Sequence, residues 1–327
     1  MNIEFSSKLA QNIADQNARD AVLDTLNALC DSAREIAKIC ARGPLEDKFG
    51  DVAGTENSDG DSQKALDVRS DEIITEALKT VPVAYYASEE RDDIITLKDG
   101  LPLAVASDPL DGSSNIDTNV SIGTIFAIFP AKENDPVGSF MRKGSDQLAG
   151  GFFVYGPQTT LVVTTGDGTE LYVLDWMSGK FKLAIAAMSI EKSAHEFAIN
   201  ASNFNHWHPP VRAYIEDAMK GAEGPMGKKQ GMRWIGSLVA DANRILMRGG
   251  LFMYPADDRK GYGAGRLRIL YEAHPVAFVI EQAGGKATDG TQRILDITQE
   301  TLHERVPFVF GSVDMVDQVA EYHKGTK

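Results

Sequence analysis

Cysteine is almost absent: Cys30 and Cys40 are the only two in 327 residues. Both fall in a segment whose apolar residues Leu26, Leu29, Ala33, Ile36 and Cys40 recur at three- and four-residue spacing, the period of a helix. Ten helical residues separate two sulfurs by ~15 Å along the axis, beyond the reach of a disulfide. A disulfide framework and a paired-thiol metal site are thereby excluded, and buried packing is expected for both thiols. Basic residues are also in deficit: 33 Lys and Arg face 47 Asp and Glu, a formal charge of −14. That balance argues against nucleic-acid binding, which runs on excess positive charge. No apolar run approaches the ~20 residues that a membrane span needs. Met1-Asn2-Ile3-Glu4 opens without a basic stretch and an apolar core, so no secretory signal is expected and the cytoplasm is the expected compartment.

Signatures of covalent phosphatase and nucleotide chemistry are missing too. Neither cysteine has an arginine six residues later, no Asp-x-Asp pair precedes Thr or Val, and no Gly-x-Ser-x-Gly elbow, Walker A motif or Gly-x-Gly-x-x-Gly occurs. For a phosphate-handling chain this leaves direct attack by a water that a cation activates. Histidines at zinc-protease spacing are absent as well. His206-Trp207-His208, flanked by asparagine and two prolines, reads as a surface loop, and His195, His274, His303 and His323 are isolated.

What is present is an alternation of helical and strand patterns, which predicts an α/β layered architecture. The first helix is expected to stop at Gly43-Pro44. Residues 50–61, rich in glycine and poor in core-forming side chains, read as a mobile loop, and 62–78 as a second helix burying Leu66, Ile73, Ile74 and Ala77. Apolar runs at 103–106, 122–129, 152–155 and 161–164 predict strands, with Gly156-Pro157 turning the third into the fourth. From about Ile190 the pattern becomes mixed: a helix at 238–248, a strand at 251–254 and a last helix at 275–283, opened by proline and closed by Gly284-Gly285. A boundary is placed there, between residues 1–189 and 190–327.

The strongest motif is Asp108-Pro109-Leu110-Asp111-Gly112-Ser113-Ser114-Asn115, which follows the apolar run 103–106 and so sits at a strand end. Proline fixes the backbone between two carboxylates, so Asp108, Asp111 and the carbonyl of Leu110 can converge on a cation. Gly112, Ser113 and Ser114 offer backbone N–H groups to an anion. Ser88-Glu89-Glu90 follows a second apolar stretch and adds carboxylates at another strand end. Clustered acids without a cation would cost several kcal/mol in repulsion and desolvation. Asp61 and Asp67 flank the start of the second helix, as cluster members or as helix caps. Glu272, inside an apolar run, is costly unless it binds something. All these donors are oxygens, which selects Mg²⁺ or Mn²⁺ over zinc.

The chain resembles the class I fructose-1,6-bisphosphatases of the inositol-monophosphatase-like superfamily over nearly its whole length. The residues that carry the likeness are Gly60-Asp61 through Leu66-Asp67-Val68, Ser88-Glu89-Glu90, Asp108 through Asp117, Gly123-Thr124-Ile125-Phe126, Gly249 through Pro255 and Leu267 through Glu272. The resemblance implies a layered αβαβα fold, a homotetramer and two or more cations per site. It implies an N-terminal half carrying the metal loops and a C-terminal half binding the sugar phosphate. The implied reaction is hydrolysis of the 1-phosphate of fructose 1,6-bisphosphate, in gluconeogenesis or the Calvin cycle. Metal ligands fall on Glu89, Asp108, Leu110 (carbonyl), Asp111 and Glu272, while Asp61, Asp67 and Glu90 handle the attacking water. The 1-phosphate would lie on Asp111, Gly112, Ser113 and Ser114. The distal phosphate would meet Asn200, Tyr254 and Arg266, with Arg233 reaching in from a neighbouring subunit.

Three positions depart from the commonest family pattern: Asn203 and Trp234 stand where many members carry tyrosine, and Arg266 where they carry lysine. Arg19-Asp20-Ala21, Pro102-Leu103 and Pro130 stand where AMP-regulated members bind the nucleotide, so AMP inhibition is expected to be weak or absent. Alternatives are a sedoheptulose-1,7-bisphosphatase or dual-specificity enzyme, and a non-catalytic sugar-phosphate sensor. Phe252-Met253-Tyr254-Pro255 favours the fructose enzyme, and the presence of all three water-handling acids argues against the sensor.

Overall fold

The computed structural model describes residues 5–45, 52–56 and 62–325. Helix α1 (Gln16–Arg42) is capped by Asp15, whose side chain accepts from the Ala18 N–H, and ends at Gly43, where φ is 49° and the glycine N–H reaches the Ile39 carbonyl. Cys30 is buried in it as expected, but Cys40 is only half-buried. β1 (Val52–Glu56) pairs antiparallel with β2 (Ser62–Lys64). Within the loop expected at 50–61, residues 52–56 form a strand instead and the rest lie outside the described residues; the helix expected at 62–78 is corrected to α2 (Ala65–Leu78), which starts three residues late because Ser62–Lys64 pair as a strand.

An eight-stranded sheet follows. Its members are β3 (Val83–Ser88), β4 (Ile95–Thr96), β5 (Leu103–Asp111), β6 (Ile122–Pro130), β7 (Ala149–Tyr155), β8 (Thr159–Thr164), β9 (Glu170–Asp175) and β10 (Lys180–Ile185). Their order is β10-β9-β8-β7-β6-β5-β3-β4. Every pair is antiparallel except β3–β5, so the ends of β3 and β5 point the same way. That one parallel pairing sets Glu89 beside Asp108. A short α3 (Pro136–Phe140) links β6 to β7.

The second half contributes β11 (Glu196–Ala198), α4 (Pro209–Met219), β12 (Gly231–Met232), α5 (Leu238–Arg248), β13 (Leu251–Tyr254), β14 (Leu267–Arg268), α6 (His274–Gln282), β15 (Lys286–Thr288), β16 (Arg305–Val306), β17 (Phe308–Gly311) and α7 (Val313–His323). Five of its strands form a sheet in the order β12-β11-β13-β17-β15, and β14 pairs with β16. Helix α4 begins directly after His206-Trp207-His208. Trp207 is buried there against Phe204, so the surface loop expected at this point is corrected to the entry of a helix. α7, not α6, is the last helix.

Alternation along the strands assigns each core. Residues of α1 and α2 pack on one face of the large sheet, through Phe126, Phe153 and Leu161. On its other face Ile125, Phe152 and Val162 meet α5 and α6, which also cover Phe252, Phe308 and Phe310 of the smaller sheet. Leu251, Met253 and Val309 turn the opposite way, onto α4 and α7. The layers thus run helix, sheet, helix, sheet, helix, the αβαβα arrangement. Residues from both sides of position 190 share the middle core.

Candidate active site

β5 carries an irregularity between Asp108 and Asp111: Asp108 is opposite Ile125 and Asp111 opposite Gly123, so two residues of β5 face one of β6. In a regular strand, residues three apart point to opposite faces; a bulge of one residue returns them to the same face. Proline at 109 suits the bulge, since its missing N–H is not needed by the ladder. The loop is held from within by the Leu110 N–H on Asp108 Oδ1 at 2.9 Å and by Thr124 Oγ1 on the Pro109 carbonyl at 2.8 Å. Leu110 itself is buried.

Glu89 leaves the end of β3 with its backbone N–H on the Ser107 carbonyl at 3.0 Å. Glu272 lies in a π-helical turn, Ile269–Ala273, that feeds α6, a local irregularity often found at functional sites. Glu89, Asp108 and Glu272 bring one carboxylate oxygen each to within 4.8 Å of one another. Burial, and then the charge of Glu89, push Asp108 well above the usual carboxylate range. Burial and Glu89 do the same to Glu272, opposed by Arg268, and burial likewise raises Glu89 against the pull of Arg268. Buried Arg268 donates to Glu89, and its backbone N–H binds Glu272 Oε2 at 2.6 Å. Three carboxylates share a single guanidinium, so their negative charge is not matched by the protein when all are ionised, and Glu89 Oε2 is buried with no hydrogen-bond partner among the described residues. An all-oxygen donor set with such an orphaned atom fits a hard divalent cation.

Asp111 is adjacent but differently employed. Its Oδ2 accepts from Ser237 Oγ at 2.8 Å and the Val239 N–H at 3.0 Å, and its Oδ1 from the Leu238 N–H at 3.3 Å. It caps α5 from another part of the chain, where the open N–H groups and helix dipole favour an anion. Burial raises its pKa while these bonds lower it. With one bond on Oδ1, a lone pair is left for a cation. Ser237, its anchor, escaped sequence reading; a serine before a predicted helix start was the available signal.

Gly112 adopts φ 79° and opens a 3-10 turn over Ser113–Thr118. A Cβ there would stand 3.0 Å from Ser237 Cβ, so the left-handed turn and the tight approach both call for glycine. Ser113 is half-buried and Ser114 exposed. Asp67 is buried in the first turn of α2, and Glu90 is half-buried beside Glu89. Asp61 lies outside the described residues. Asp71, unremarked in the sequence, ties α2 to this corner by accepting from Arg91 Nε at 2.6 Å and Tyr86 Oη at 3.2 Å.

The remaining candidates lie farther along the second half. Asn200 caps the 3-10 turn Ala201–His206, its Oδ1 accepting from the Ser202 hydroxyl at 2.6 Å. Tyr254 is half-buried at the end of β13 and meets Trp234 edge-on at 5.7 Å, while Trp234 stacks on Phe252. Burial raises the Tyr254 phenol, and Arg266 and Glu272 act on it in opposite directions. Arg233 is exposed, with its Nε 3.9 Å from Glu196.

Fold and acidic centre together define a layered sugar phosphatase. Residues 6–186 match the family model for the fructose-1-6-bisphosphatase N-terminal domain, and residues 190–324 match that for its C-terminal domain. The chain belongs to the fructose-1,6-bisphosphatase family. It is 51% identical over 332 residues to a class 1 fructose-1,6-bisphosphatase of Methylorubrum extorquens, covering 99% of this chain and 94% of the relative. It is 52% identical over 305 residues to one of Nitrobacter hamburgensis, covering 93% of this chain and 88% of the relative. The crystal structure of Leishmania major fructose-1,6-bisphosphatase in holo form superposes with a TM-score of 0.88 at 34% identity, covering 98% of this chain and all of that one.

Proposed function

We infer that the chain hydrolyses the 1-phosphate of D-fructose 1,6-bisphosphate, giving fructose 6-phosphate and inorganic phosphate. The observation that carries this is the convergence of the carboxylates of Glu89, Asp108 and Glu272 from three distant segments onto one point. In this reading Glu89, Asp108, the Leu110 carbonyl, Asp111 and Glu272 hold Mg²⁺ or Mn²⁺, two or more per site. Once bound, such cations lower the pKa of a water and offset phosphate charge.

The chain's own groups do the rest. Asp67 and Glu90, with Asp61, orient the attacking water and take its proton onto a carboxylate oxygen. The left-handed turn at Gly112 supports an anion nest in which the N–H groups of Gly112 and Ser113 face the 1-phosphate, beside Ser114. Asn200, Tyr254 and Arg266 read the distal phosphate. Arg233, exposed in the single chain, serves the site of a neighbouring subunit in a cytoplasmic homotetramer. The test is phosphate release from fructose 1,6-bisphosphate with and without Mg²⁺. Cation-dependent release is expected, and binding of the sugar without release would favour the sensor.

A further inference from the structure

Of the arginines near the pocket, two are neutralised. Arg268 donates to Glu89, and Arg259 grips Asp257 through Nε on Oδ1 at 2.9 Å and through Nη2 on Oδ2. Arg266 has no carboxylate partner among the described residues; its Nη1 donates to the hydroxyl of Tyr262, and its guanidinium carbon lies 4.4 Å from the centre of the same ring. Arg259 lies over that ring as well, at 4.2 Å. Both distances are within cation–π range, and Asp257 relieves the repulsion between the two cations.

The segment that carries Tyr262 is itself fixed. Its N–H reaches the Arg259 carbonyl at 3.0 Å, and its own carbonyl accepts from Asp257 at 3.2 Å and Gly265 at 3.0 Å. Gly265, at φ 88°, lies so close to Val306 and Pro307 that a Cβ would approach their backbone to 2.3 Å. The Asp258 N–H meets the His206 carbonyl at 3.2 Å, which joins this segment to the turn that Asn200 caps. Meanwhile Trp234 spends its ring on Phe252 and Tyr254. An indole nitrogen can only donate, whereas a phenol oxygen that accepts from Arg266 keeps its proton for another acceptor.

We propose that Tyr262 is a positioning residue of the distal-phosphate pocket: its ring and oxygen hold Arg266 as the uncompensated cation, and its O–H donates to the same anion. This rests on the reading of Arg266 given above. The experiment compares fructose 1,6-bisphosphate with fructose 1-phosphate, which lacks the distal group, in the native protein and in Tyr262→Phe, Tyr262→Ala, Arg266→Ala and the Tyr262→Ala/Arg266→Ala double variant. Tyr262→Ala is expected to lower the preference for the bisphosphate about tenfold, through KM rather than kcat. Tyr262→Phe, which keeps the ring, should lose about threefold. In the double variant the loss should exceed that of Arg266→Ala alone by about threefold, the share of the Tyr262 hydroxyl, rather than by the full tenfold. If Arg266→Ala erodes the preference and Tyr262→Ala does not, or if the two losses multiply, the clamp is overturned while the phosphate reading stands. If neither variant changes the preference, both fall.

Discussion

The acidic centre and the proposed distal-phosphate pocket are built by opposite means. At the acidic centre, Asp108 and Glu272 are buried and the Glu89 side chain is 12% exposed; the charges repel one another, and their positions are set by backbone register, namely the β3–β5 pairing, the β5 bulge and the π turn. Among the residues proposed to read the distal phosphate, Asn200, Tyr254 and Arg266 are half-buried and Arg233 is exposed. There the side chains hold one another, through Arg266 on Tyr262 and Trp234 on Phe252. Carboxylates that must stay close despite repulsion need a rigid frame, because any loop free to relax would separate them. A pocket for an anion tolerates a softer frame, since the ligand itself supplies the attraction that closes it.

The sharpest break of this contrast is Asp108→Asn. It is expected to lower kcat at least about a thousandfold, the scale of several kcal/mol of lost electrostatic stabilisation. The same change should not lower the melting temperature of the metal-free protein, because burial and then the neighbouring carboxylates disfavour the ionised form of Asp108 and push its pKa well above the usual range. A large loss of metal-free stability would show that Asp108 is held by partners rather than by the frame. Arg233→Ala probes the other region. Losing one charge-assisted contact should raise KM about ten- to a hundredfold. Hybrids of that chain with an Asp108→Asn chain should regain activity if Arg233 serves the neighbouring site, and verified hybrids without any regain would refute the sharing.

Ser237→Ala tests the join between frame and helix, since it removes a 2.8 Å bond from Asp111 while the two backbone bonds remain. Denaturant unfolding should record a loss of about 1 kcal/mol. The acidic centre also predicts an unusual pH response for metal-free protein. Asp108 and Glu272 bind protons more tightly folded than unfolded. Their contribution is therefore complete below the ordinary carboxylate range and is lost as pH rises through the raised values. Saturating Mg²⁺ should flatten that decline, as followed by thermal melts across pH. The smallest effect is expected from AMP. Arg19, the one cation among the matched positions, already spends its guanidinium on the Ile13 carbonyl and Gln16, and Asp20 is exposed beside it. Half-inhibition at micromolar AMP in a saturating Mg²⁺ assay would reverse that expectation.

The sequence by itself determined the parts whose chemistry is local. Asp108-Pro109-Leu110-Asp111-Gly112 announced a strand end with two acids and an anion turn, because proline, glycine and carboxylate each constrain their own few atoms. The period of Leu26 through Cys40 announced α1, and Gly43 its stop. Helices α4 and α7 and the late start of α2 were not legible, since short amphipathic segments take their state from the layer they meet. Only the tertiary structure decided that Asp111 would cap α5 through Ser237, that Arg268 would stand among the carboxylates, and that Tyr262 would draw Arg266 to its ring. The first two join segments more than a hundred positions apart, and the third, though its partners are only four residues apart, depends on a turn held by Val306, Pro307 and His206. No local pattern encodes such a contact, because the free energy that selects it comes from burying charge and ring together once the layers have closed.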